Sequence, residues 1–115
     1  MRKKSSGSSR EKSMDREKIL KKLTKLAREL KEKDGNVLRV ILFGSLVEDT
    51  YTPYSDADIL IILKKSELPI IERIPYFLLH FSRGDLPVDV FPYTEEEVKS
   101  IPFAQRALLK GIPLA

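Results

Sequence analysis

Val37-Leu38-Arg39-Val40-Ile41-Leu42-Phe43-Gly44-Ser45, followed after a loop by Asp56-Ala57-Asp58-Ile59-Leu60-Ile61-Ile62-Leu63, decides how this chain folds. The first stretch is a β-rich apolar run stopped by a glycine, which reads as a strand closing in a tight turn. The second is apolar at every position beyond Asp58, the pattern of a strand covered on both faces and central in its sheet. Between them Ser45 is placed to cap a short helix or turn through Asp49, and residues 51–55, with Pro53, read as a loop.

Outward from this pair, Ile19, Leu20, Leu23, Leu26, Ala27 and Leu30 form one stripe at helical period. The stripe predicts a helix over 15–33, stopped by Gly35. Downstream, 70–81 is expected to be a helix, irregular at Pro75. Residues 86–91 are expected to form a third strand. Thr94 with Glu97 three residues on is a capping box opening a helix over 95–99. Ser100 and Pro102 restart a helix that Gly111 ends.

In a strand, positions two apart share a face, so Asp56 and Asp58 project to the same side while Ala57 points away. Two carboxylates held that close repel each other, and the usual compensation is a hard divalent cation with oxygen ligands. Asp89 stands in Val88-Asp89-Val90, where a lone charge is costly to bury without a partner. A third strand beside the second would complete a three-carboxylate cluster. Gly44 permits a tight turn and close approach of a ligand to the backbone. Ser45 brings a hydroxyl and the amides of a helix start, a setting that favours phosphate oxygens. Taken singly, each feature is equally a turn, a cap or a surface acid. Their order along the chain makes them a candidate metal and nucleotide-phosphate site.

Leu42-Phe43-Gly44-Ser45, Ser55-Asp56-Ala57-Asp58 with Ile59 to Ile62, and Val88-Asp89-Val90-Phe91 together resemble the signature of the DNA polymerase beta-type nucleotidyltransferase superfamily, in its minimal nucleotidyltransferase branch. The resemblance implies an α/β (α+β) fold, a small mixed sheet backed by helices. It further implies transfer of a nucleoside monophosphate, AMP from ATP, to an acceptor. Asp56 and Asp58 would hold two Mg²⁺ ions, and Asp89 would hold the ion that activates the attacking hydroxyl. Gly44 and Ser45 would grip the β- and γ-phosphates. Stand-alone members of this branch resemble one half of a toxin–antitoxin pair whose other half is a HEPN-type helical ribonuclease. A partner toxin is therefore one expected acceptor, and an antitoxin-like binding protein with weak or no catalysis is the alternative function. Where many minimal members carry Arg and Gly shortly after Gly-Ser, this chain has Glu48 and Asp49. Lys64 and Lys65 after the second strand are the candidates to compensate, or else solvated side chains.

The remaining features bound the reading. At 115 residues the chain is one small domain. No apolar run approaches the roughly 20 residues that span a bilayer. The basic, Ser-rich start is not followed by an apolar stretch, so no secretory signal is expected and the cytoplasm is the expected compartment. The lack of Cys excludes disulfides and thiolate chemistry. Residues 1–14 hold five of the 21 basic residues and one of the 17 acidic ones, so the rest of the chain is balanced. The basic excess is thus a tail, expected to be disordered, with residues 15–115 as the nucleotidyltransferase domain. Nucleic acid is not the expected partner, and oligomeric state is left open. A single Asn and a single Gln beside many charged residues fit a chain adapted to heat. His80, the only histidine, lies in an apolar segment and reads as a packed helix residue. Tyr51 and Tyr54 either stack on a base or close their loop on the core, and Arg83 is either a turn residue or a phosphate contact.

Overall fold

A computed structural model describes residues 8–44, 57–84 and 87–115, with side chains described from Arg16 onward. Helix α1 (Ser8–Lys33) leads into β1 (Val37–Phe43), then come β2 (Ala57–Leu63), α2 (Ile70–Phe81) and a 3₁₀ turn (Ser82–Gly84). Strand β3 (Val88–Thr94), α3 (Glu95–Val98), α4 (Pro102–Lys110) and the two-residue β4 (Ile112–Pro113) complete the chain. The four strands form one sheet in the order β3-β2-β1-β4. Strand β1 is antiparallel to both β2 and β4, whereas β2 and β3 are parallel. A parallel pair needs a crossover, and α2 supplies it. The sheet is therefore mixed, with β2 inside it as its apolar sequence requires.

Two elements differ in their bounds from the sequence expectation and one was not expected, each for a physical reason. Helix α1 starts at Ser8 where residue 15 was expected, and residues 8–14 contain no Gly or Pro to interrupt it. The third strand runs Val88–Thr94, not 86–91, and passes through Pro92. Proline removes a ladder donor, and β3 tolerates it as an edge strand. Strand β4 was not expected, being two residues long with a proline. Its pairing with Ile41 and Leu42 continues in the bonds between Val40 and the Leu114–Ala115 backbone.

Alternation along the strands divides the core in two. On one face Val40, Leu42, Ile59, Ile61 and Val90 pack against Leu23, Ala27 and Leu30 of α1 and Phe77 and Phe81 of α2. On the other, Ile41, Leu60 and Ile62 are covered by Val98 and by Ala104 and Ala107 of α4. Gly111 lets the end of α4 close onto β1. A Cβ there would stand 2.5 Å from Ile41 Cγ2 and 2.8 Å from the Leu42 carbonyl.

Two polar contacts tie α2 to the elements it packs against. Arg73 of α2, only 5% exposed, donates to both carboxylate oxygens of Glu97 (2.7 and 3.0 Å) and to the carbonyls of Leu68 and Pro92. Glu97 also accepts the Thr94 amide as its half of the expected capping box. His80 is buried between α2 and α1, its Nε2 2.6 Å from the Leu26 carbonyl. The ring is a packed helix residue, as its apolar surroundings in sequence suggested.

Candidate active site

The sheet brings together two of the three acidic positions picked out in the sequence. Asp58 opens β2 opposite Phe43 of β1 and, on its other side, is the register partner of Asp89 in β3. Register partners in a parallel pair project from the same face on strands about 4.8 Å apart. The face is the one covered by α4, since Leu60 and Phe91, two residues further along, belong to that core. The carboxylates stand at the strand ends beyond the helix cover, Asp58 half-buried and Asp89 exposed.

Gly44 ends β1 with φ 86°, a left-handed conformation that side chains rarely adopt. Its Cα lies against the Asp58 carboxylate, and a Cβ would fall on Asp58 Oδ2. The glycine is thus required both by backbone geometry and by the close approach of the acid. Ser45 and Asp56 lie outside the described residues, as do Glu48, Asp49, Tyr51 and Tyr54. Among the described residues no three acidic or histidine side chains gather as a metal-holding group. The pair that is described, two adjacent oxygen donors with no soft ligand nearby, fits a hard divalent ion.

Beneath the carboxylates an aromatic cluster forms the floor. Phe43 lies 5.5 Å from Phe91 and 5.8 Å from Phe103, and Phe103 also meets Tyr93. Beside Gly44, on the side away from Asp58, a cavity of about 220 Å³ opens between β1 and α4. Phe43 and Phe103 wall it, Gly44 and Gly111 line its backbone edge, and Arg106 and Lys110 reach it from α4. Sequence reading passed over these two cations. Their spacing of four residues on a helix was visible, but not which end of the sheet the helix would cover.

The other basic candidates do not reach this end. Lys64 and Lys65 follow the far end of β2, about 20 Å from Asp58 at the rise of a strand. They are solvent-exposed, and the Lys65 backbone is held by Asn36. Arg83 forms an ion pair with Glu29 of α1 at 3.0 Å, on the opposite side of the sheet from the acids. Of its two readings the structure supports the structural one.

The family model for the nucleotidyltransferase domain matches residues 23–114, nearly all of the sheet and the helices around it. A protein of Sulfolobus solfataricus assigned as a nucleotidyltransferase shares the fold with TM-score 0.63 at 23% identity, over 98% of this chain and 89% of that one. A chain from a toxin–antitoxin crystal structure with AMP-PNP aligns with TM-score 0.54 at 22% identity, over 84% of this chain and 72% of that one. No curated protein matches the sequence. With the mixed sheet, the Gly44 turn and the Asp58–Asp89 register on the page, the chain belongs to the nucleotidyltransferase domain family.

Proposed function

We propose that this protein is a Mg²⁺-dependent nucleotidyltransferase that moves AMP from ATP to a hydroxyl of an acceptor, a partner toxin protein of the HEPN type. The observation that carries the reading is the register of Asp58 with Asp89, with Gly44 pressed against the Asp58 carboxylate. Asp56, Asp58 and Asp89 would hold two Mg²⁺ ions, which when bound draw charge from the phosphate oxygens and make the attacking hydroxyl more acidic. The chain's own groups do the rest. Asp89, exposed at the edge strand, is open to the acceptor and takes the proton of its hydroxyl. The new bond joins the acceptor oxygen to the α-phosphorus, the bond from that phosphorus to the bridging oxygen breaks, and pyrophosphate leaves. Gly44, without a side chain, leaves room for the β- and γ-phosphates to approach the backbone, and Ser45 would donate its hydroxyl to them.

Incubation with Mg²⁺, the partner and ATP labelled at the α-phosphate should label the partner. Label at the γ-phosphate should not transfer. Asp58→Asn and Asp89→Asn should each abolish the signal, and label carried by either variant at the wild-type rate would exclude the assignment.

A second reading, antitoxin-like binding with weak or no catalysis, is favoured by the surface of α2. Ile71 and Leu79 are 76% and 73% exposed there, an apolar strip suited to a protein partner. The toxin–antitoxin origin of one structural neighbour supports the same partner class. An Asp58→Asn protein that still neutralises the toxin in cells would favour binding over transfer.

A further inference from the structure

We propose that Arg106 and Lys110 of α4 form the phosphate subsite that takes the γ-phosphate of the bound triphosphate and then the departing pyrophosphate. The inference rests on the nucleotidyl-transfer reading and extends it to residues outside the glycine–carboxylate signature. Across this end of the sheet the groups stand in a fixed order. Asp89 on β3 comes first, then Asp58 on β2, then Gly44 on β1, and last the cavity where α4 turns through Gly111 into β4. In an in-line displacement the attacking and leaving oxygens stand on opposite sides of phosphorus. With the acceptor on the Asp89 side, the leaving group departs past Gly44 toward β4. What stands there is a cavity lined by two cations.

The charge balance points the same way. The chain carries Glu48 and Asp49 close after the Gly44 turn, and the tandem lysines after β2 are about 20 Å off. Arg106 and Lys110 are four residues apart on one helix, so they emerge on one face about 6 Å apart along its axis. That separation suits two donors on neighbouring phosphate groups. Among the described residues neither is engaged in an ion pair. Phe43 and Phe103 wall the cavity with apolar surface, which strengthens a charge contact made at its mouth. Lys110 stands in the last turn of α4, where a cation also complements the helix dipole. A dipole role alone would change stability and leave ligand binding unaltered.

Titration calorimetry of the full chain with Mg²⁺ separates these. The ligands are AMP, ATP and inorganic pyrophosphate, and the proteins are wild type, R106Q/K110Q and the charge-conserving R106K/K110R. We expect R106Q/K110Q to bind ATP and pyrophosphate about tenfold more weakly, with AMP within about twofold of wild type. R106K/K110R should retain most of the wild-type affinity. Unchanged ATP and pyrophosphate affinity in R106Q/K110Q would overturn the subsite and leave the transfer reading standing. An equal loss for AMP and ATP would also overturn it, since the effect would then not be on the terminal phosphates. Wild type binding neither ATP nor pyrophosphate would remove the transfer reading and the subsite together.

Discussion

Gly44 carries two requirements at once: a positive φ and no Cβ where the Asp58 carboxylate sits. Gly44→Ala should therefore cost about 1–2 kcal/mol in stability from the left-handed backbone alone. Its effect on transfer should be much larger, about 100-fold, because the methyl group displaces a carboxylate that must be placed to within about an ångström. Denaturant unfolding and labelled-ATP transfer measure the two losses separately, and wild-type transfer by the alanine variant would contradict the geometry. His80 makes a prediction of a different kind. Burial pushes its pKa below the ordinary histidine value, chiefly by desolvation and partly through the nearby Lys33 and Arg83 charges. The Leu26 carbonyl and Glu29 act in the opposite sense. With Nε2–H donated to Leu26, Nδ1 is left buried without a partner, so a second proton is disfavoured. Below about pH 6.5 the unfolded chain then binds the proton first. Stability should be complete above that pH and fall as the pH drops toward the depressed native value. Urea midpoints at pH 7.5 and 5.5 should differ in that direction for wild type and differ less for His80→Gln.

At the scale of elements, the Arg73–Glu97 contact joins α2, β3 and α3 in one clamp. Glu97 is held at a pKa of about 2, first by the Arg73 hydrogen bonds and then by the Thr94 backbone and hydroxyl, against the opposing effect of burial. A carboxylate depressed in this way adds stability above the ordinary Glu range, and that stability is lost as pH falls from about 4.5 toward 2. Glu97→Ala removes a cap and leaves the guanidinium of a 5%-exposed arginine with only its two carbonyl partners. We expect a loss of about 3 kcal/mol, at the low end for breaking a buried pair because Glu97 itself is partly exposed. Thermal unfolding measures it, and a change under about 0.5 kcal/mol would show the clamp to be dispensable. Half of this clamp was legible in sequence. Thr94 and Glu97 announce a capping box by spacing alone, whereas Arg73 reaches its partner only because α2 crosses back over β3. The same division holds elsewhere. Strand β1 and helix α2 were legible because their apolar patterns and stop residues are local. Strand β4 was not, since two residues with a proline pair only because Gly111 lets α4 close on β1. Asp58 and Asp89 were legible as candidates, and their adjacency waited on the parallel register. The spacing of Arg106 and Lys110 on one helix was legible, and their place at this end of the sheet was not.

For the whole molecule, charge placement sets how a nucleotide can bind. Residues 1–14 account for the entire basic excess, so residues 15–115 carry no net positive charge that would attract a triphosphate. At the site end the described carboxylates of Asp58 and Asp89 add repulsion, and the two α4 cations stand on the far side of Gly44. On the proposed transfer, neutralising an α-phosphate between them would fall to divalent ions, and binding should then be strongly Mg²⁺-dependent. A ligand that binds only the native state at 100 times its Kd stabilises it by about 2.7 kcal/mol, on the order of 10 °C in a domain of this size. We expect Mg²⁺ with AMP-PNP to raise the thermal midpoint by that order, while AMP-PNP with EDTA raises it by no more than a degree or two. Mg²⁺ alone should act weakly, because without the phosphate oxygens the acids offer an incomplete ligand set. An equal shift with EDTA would mean that the nucleotide is held without metal. The carboxylates at the sheet end would then have to be placed in a role other than metal binding.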